Sequence, residues 1–239
     1  MRKEHEEQIG KAVAALRERG DINEVYFVAC GGSQAVLMAG QYVFDKESSI
    51  PSHVYTANEF VYDTPKNLCG QSVVVTCSHS GNTPETIAAT KLAREKGALT
   101  IALSNLEGSE LWNAAEFPVH YDWGKDVSDS DKNKGILYGL LFHLLKVLEP
   151  DEKWDVCLKE LEKLTELSTK AKEQYKEMAE KWAKATKREK MIYTIGSGIN
   201  YGEVYSTAMC WFMEMQWIHS GCIHSGEYFH CPFEITDYD

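Results

Sequence analysis

Apolar positions in the first half of the chain alternate between two spacings. Ile9, Val13 and Leu16 recur at helical intervals, so the chain opens with an amphipathic helix. Val25 to Ala29 is apolar at nearly every position, which predicts a strand buried on both faces. It stops at Cys30-Gly31-Gly32-Ser33, and a helix follows from about Gln34. The order then repeats. Val73 to Cys77 is a second buried strand, followed by a polar loop and a helix that opens at Pro84 and carries Ile87, Ala88, Leu92 and Ala93. Leu99 to Leu103 is a third strand. Strands alternating with helices at this spacing predict an α/β fold, a parallel sheet covered on both faces.

From Gly135 to Lys190 the apolar period is helical, with breaks predicted near Pro150 and around Ser168. Met191 to Ile195 followed by Gly196-Ser197-Gly198 repeats the design of Val25 to Ser33, so the plan restarts there. The expected organisation is a sheet domain over 1–150, a helical connector over 151–190 and the start of a second, incomplete sheet domain over 191–239. One strand and one long helix are all that is legible after Lys190. Either the chain is a piece of a longer protein, or its remaining strands come from elsewhere.

A net charge of -11 excludes nucleic acid as the expected partner, because a phosphate backbone calls for clustered Lys and Arg. A small phosphate-bearing ligand remains compatible. The seven cysteines lack metal-site spacing and imply free thiols in a reducing, cytoplasmic setting. The longest apolar stretch, Gly135 to Leu148, is interrupted by His143 and Lys146 and is too short to span a bilayer, so no membrane association is expected.

The candidate chemistry begins at Ser78-His79-Ser80-Gly81-Asn82-Thr83, between a strand and a helix N-terminus. Unsatisfied N–H groups and the helix dipole favour an anion there. Thr83 is the expected N-cap and Pro84 the first helical residue. The loop sits at the carboxyl end of its strand, where open α/β sheets bind ligands. Neither this loop nor Cys30 to Gln34 holds Lys or Arg, so hydroxyls and amides would carry the binding. The same residues also make a good capped turn. Ser33 favours the binding reading, since two serine-bearing loops of one sheet can converge on one anion. A P-loop is excluded, and Gly196-Ser197-Gly198 lacks the full dinucleotide fingerprint.

In Cys210 to Ile218 a single carboxylate, Glu214, interrupts an apolar run. Burial would raise its pKa towards the range of a general base. A structural ion pair is the alternative, although no Lys or Arg follows Lys190. His219, His224 and His230 lie at intervals of five and six residues, which is not the spacing of a helical zinc pair. For His219 and His224 a polar core role and a functional one are both open. His230 lies in the loop-like stretch Gly226 to Pro232, where it could meet a ligand and exchange protons near neutral pH.

Cys30-Gly-Gly-Ser33, Ser78-x-Ser-Gly-Asn-Thr-Pro-Glu-Thr86, and Phe212 to His219 with His224 to His230 together resemble SIS-domain proteins of the fructosamine-type deglycase group. At greater distance they resemble the isomerase half of glucosamine-6-phosphate synthase. The resemblance covers nearly the whole chain. It implies three-layer α/β/α SIS domains, two per chain, a homodimer with sites at the subunit boundary, and no metal or organic cofactor. Ser78, Ser80, Asn82 and Thr83 would hold the sugar phosphate, with Ser33 beside the sugar. Glu214 would be the general base and His230 the general acid. Two departures stand out: Cys231 occupies a position that is usually Gly in the group, and the sequence stops at Asp239. The implied reaction is cleavage of a 6-phosphorylated ketosamine; aldose-ketose isomerisation and non-catalytic sensing of a sugar phosphate are the alternatives.

Overall fold

The computed structural model describes residues 1–236. Its main body is a five-stranded, all-parallel sheet in the order β2-β1-β3-β4-β5, formed by β1 (Glu24–Ala29), β2 (Ser52–Thr56), β3 (Ser72–Ser78), β4 (Leu99–Ser104) and β5 (Phe117–His120). The three predicted strands are its centre. Every residue of β1, β3 and β4 is buried, which is why their sequences read as continuous apolar runs. The two strands that periodicity does not reveal are the edges. β2 is largely half-exposed, and β5 contains Pro118, which a strand paired on one side accommodates.

Alternation within β1 assigns the two helical layers. Val25, Phe27 and Ala29 face α1 (Lys3–Arg19), α2 (Gly31–Glu47) and α6 (Asn133–Leu148), packing with Ile9, Leu16, Leu37, Phe44 and Leu140. Tyr26 and Val28 face α3 (Ala57–Tyr62) and α4 (Pro84–Glu95), packing with Phe60, Ala89 and Ala93. The short α5 (Glu110–Ala114) completes that second layer through Leu111 against Ile87 and Ala102. This is the expected three-layer α/β/α arrangement.

Three details differ from the sequence reading. α2 starts at Gly31 rather than near Gln34, so Ser33 stands in its first turn. The helical stretch breaks at Pro150 as expected, between α6 and α7 (Lys153–Glu160), but its second break is the 3-10 turn Leu161–Lys163, where Leu161 is buried. Ser168 lies inside α8 (Leu164–Thr186), where its hydroxyl bonds to the Asp129 carboxylate. Beyond α8, two strands are present instead of the single one expected: β6 (Met191–Gly196) pairs in parallel with β7 (His219–His224). His219 and His224 are thus the first and last residues of a strand. No helix among the described residues is long and apolar enough to cross a membrane.

Between β6 and β7 runs α9 (Tyr201–Ser206), continued by a π-helical segment, Thr207–Glu214. α9 lies tightly on α2. A Cβ at Gly202 would fall 2.2 Å from the Ala35 carbonyl oxygen, an encounter with backbone that no rotamer change relieves. Gly202→Ala should therefore pry the two helices apart and lower stability by about 1–3 kcal/mol. Gly10→Ala, in the open interior of α1 with no neighbour within 4 Å, should instead raise it by up to about 1 kcal/mol. Urea denaturation of both variants checks the pair of signs.

Candidate active site

Since β1 and β3 are neighbours, the chain leaves the centre of the sheet in opposite directions. α2 departs to one face and α4 to the other, opening a crevice at the carboxyl ends of the two strands, the switch point where open α/β sheets bind ligands. Ala29 is in register with Cys77. The loops that follow these two residues carry Ser33 and Ser78 to Thr83, so the structure brings the two predicted serine segments together.

The Ser78 loop is a fixed object. Ser78 is buried, and its hydroxyl lies 2.8 Å from that of Thr83. The Gly81 N–H closes a turn on the Ser78 carbonyl (3.1 Å), and the Asn82 N–H reaches the Ser80 hydroxyl (3.2 Å). From the outside, the Leu111 N–H donates to the Gly81 carbonyl (2.8 Å), and the Asn105 N–H to that of His79 (3.2 Å). Gly81 has φ 66, and a Cβ there would collide with Ser109 Oγ at 2.0 Å, so both conformation and space exclude a side chain. Thr83 occupies the N-cap position of α4, but its side chain makes no capping bond. Its hydroxyl turns to Ser78 instead, correcting the expected role and leaving the first-turn amides of α4 without a side-chain cap.

The crevice floor contains groups that motif reading passes over. The Cys77 thiol hydrogen-bonds with Ser33 and Tyr121, and burial pushes its pKa up to about 12. It therefore stays protonated near neutral pH, a hydrogen-bonding group and not a nucleophile. Burial likewise raises the pKa of the Tyr121 phenol, which pairs with His79 Nδ1 at 3.1 Å. The half-exposed Trp123 closes on the other side of His79, edge to face at 5.3 Å. A chain of contacts thus joins Ser33 through Cys77 and Tyr121 to His79, inside the loop. The available signal was His79 itself, an imidazole within a run of hydroxyls.

Glu214 and His230 are placed differently from expectation. Both are exposed, and neither side chain makes a hydrogen bond among the described residues. The burial foreseen for Glu214 fails because Trp211, Met213, Met215 and Trp217, which make the run look like core, are themselves uncovered. The helix bearing Glu214 nevertheless approaches the crevice. Cys210 Sγ, about one π-helical turn upstream, comes within 3.4 Å of where a Cβ on Gly32 would stand. His230 sits in a turn whose N–H bonds to the Glu227 carbonyl (2.8 Å).

Backbone strain lies close by, at Trp217 and Cys231. Among the described residues, Trp217 (φ 56) and Cys231 (φ 88) are the non-glycine positions in the left-handed region, which costs about 1–2 kcal/mol for a side-chain-bearing residue. One follows Glu214 by three residues; the other follows His230 directly. Strain of this kind collects at functional sites. At Cys231 the conformation is one that glycine adopts freely.

A separate cleft of about 470 Å³ runs between α2 and the β6–β7 unit, lined by Tyr42, Asp45, Tyr201 and His224 among others. Its carboxylate and lack of a hydroxyl loop make it a poor phosphate site.

Comparison with known proteins matches residues 21–127 to the SIS domain. The chain is 49% identical over 217 residues to fructosamine deglycase FrlB of Bacillus subtilis, covering 90% of this chain and 66% of that protein. It is 26% identical over 237 residues to fructoselysine 6-phosphate deglycase of Escherichia coli, covering 98% and 68%. A solved Bacillus subtilis protein described as a candidate phosphosugar isomerase superposes with a TM-score of 0.91 at 45% identity, covering 97% and 73%. The chain spans about two thirds of the length of these curated relatives.

Gly81→Ala should weaken binding of inorganic phosphate about tenfold or more, the equivalent of 1.4 kcal/mol lost at the loop. Gly108→Ala shares the positive φ but has open space around it, and should leave binding unchanged. Calorimetric titration of the two variants separates collapse of the loop from general strain.

Proposed function

The chain belongs to the SIS-domain family, and from that premise we propose that it cleaves a 6-phosphorylated ketosamine, the Amadori product of a sugar and an amino acid, to glucose 6-phosphate and the free amino acid. The observation that carries the reading is the meeting of two hydroxyl-bearing segments, Ser33 and Ser78 to Thr83, at the β1–β3 switch point. The 49% identity to a fructosamine deglycase supports the choice of reaction.

Ser78, Ser80, Asn82 and Thr83 bind the phosphate through hydroxyls and the uncapped amides of α4, and Ser33 meets the sugar. His230 assists ring opening. Glu214 removes a proton from C1, and the electron pair moves to give the 1,2-enaminol. Protonation at C2 then produces an imine at C1. Water adds to that carbon, the C–N bond breaks, and the amine leaves with a proton. No cofactor enters these steps. A positioned base contributes roughly 100 to 10,000-fold, enough to make Glu214 decisive.

The β6–β7 unit repeats the strand-glycine-helix plan of β1 and α2, and we read it as the opening of a second SIS domain over 191–239, with 151–190 as connector. The enzyme acts as a cytoplasmic homodimer. Exposure of Glu214, His230, Trp211 and Trp217 is what a half-site at a subunit boundary would display.

An aldose-ketose isomerase would use the same base and acid, and the solved relative's description favours that second reading. Product analysis distinguishes them, because only deglycation releases an amine. With a panel of 6-phosphofructosyl amino acids, glucose 6-phosphate and amino acid should appear in equal amounts. Glu214→Gln should lower kcat by about 100-fold or more with little change in KM, whereas Ser78→Ala should chiefly raise KM. Undiminished turnover in Glu214→Gln would remove that residue from the mechanism.

A further inference from the structure

Beside the crevice, at the carboxyl end of the edge strand β5, three side chains aim at one point. His5 is fully buried on the inner face of α1, and its Nδ1 pairs with the Asp131 carboxylate at 3.1 Å. A carboxylate only accepts, so His5 Nδ1 carries the hydrogen and Nε2 presents its lone pair. His120 Nε2 pairs with the Asn105 carbonyl at 2.9 Å, again an acceptor, so His120 Nδ1 also presents a lone pair. These two bare nitrogens face each other at 3.3 Å, and Asp122 Oδ2 lies 3.5 Å from His5 Nε2. With both imidazoles in their neutral forms, three electron-pair donors converge here.

The third donor is available. Asp122 Oδ2 is buried and makes no hydrogen bond among the described residues. The Arg2 guanidinium donates to Oδ1 at 3.3 Å and lies 3.1 Å from Oδ2 without hydrogen-bond geometry. Its side chain is half-exposed. Tetrahedral zinc with ligands at about 2.0–2.1 Å places donor atoms about 3.3 Å apart, close to the two separations from His5 Nε2, and the three donor atoms all lie within 4.8 Å of one another. The outer groups also suit a metal. Asp131 and the Asn105 carbonyl fix the orientation of both imidazoles, as partners of metal-bound histidines do.

We propose that His5, His120 and Asp122 form a structural divalent-cation site, with zinc the metal their chemistry fits best. The ion clamps α1 to the end of β5. Its influence extends towards the crevice, because Asn105, whose carbonyl holds His120, also donates its N–H to the His79 carbonyl in the phosphate loop.

The test is thermal unfolding of the chelator-treated protein with and without one equivalent of zinc, alongside Asp122→Asn and His120→Ala. Wild type should gain roughly 5–10 °C at saturating zinc. Asp122→Asn, close in shape and so expected to fold, should lose most of the gain, and His120→Ala all of it. Cobalt(II) substitution identifies the donors: nitrogen and oxygen ligation gives visible bands without the intense near-ultraviolet absorption of thiolate. Absence of any zinc-dependent shift would overturn the proposal and leave a shared proton as the occupant. So would a shift that persists in both variants, or a thiolate band marking the free cysteines as ligands.

Discussion

The pairing of β1 with β3 is the constraint on which the site depends. Had β1 been followed across the sheet by β2 on the same side as β3, α2 and α4 would lie on one face and their entry loops would be walled off from each other. With order β2-β1-β3, the two helices leave on opposite faces and a crevice opens between their N-termini. The all-buried sequences of β1 and β3 hold that pairing by apolar contact on both sides. Everything chemical at the crevice, from the Ser33–Cys77–Tyr121 contacts to the Ser78–Thr83 hydroxyl pair, hangs from it.

Much of this was readable from residues alone, for a physical reason. Central parallel strands are buried twice over, so Val25 to Ala29 and Val73 to Cys77 announce themselves, and the loops after them are forced into view. β2 and β5 escape because edge strands have one side in water and tolerate residues such as Pro118. The strand order itself is a long-range property. Tyr121 and Ser33 reach Cys77 only through it, and no local spacing joins residues so far apart.

Glu214 shows the opposite failure. Its apolar neighbours predict burial, yet within this chain they are an exposed surface, so the inference from hydrophobicity to burial does not hold. What the sequence could not display was backbone strain. A π-helical segment ends at Glu214, the left-handed Trp217 lies three residues beyond it, and the left-handed Cys231 follows His230.

The central claim is that the crevice at the β1–β3 switch point holds the phosphate of a phosphorylated sugar. A crystal structure of the protein with glucose 6-phosphate tests it most directly. The account predicts the phosphate oxygens within hydrogen-bond distance of the Ser78, Ser80 and Thr83 hydroxyls and the first amides of α4, with the sugar extending past Ser33. A phosphate seated instead in the cleft between α2 and the β6–β7 unit, with the Ser78 loop untouched, would contradict it.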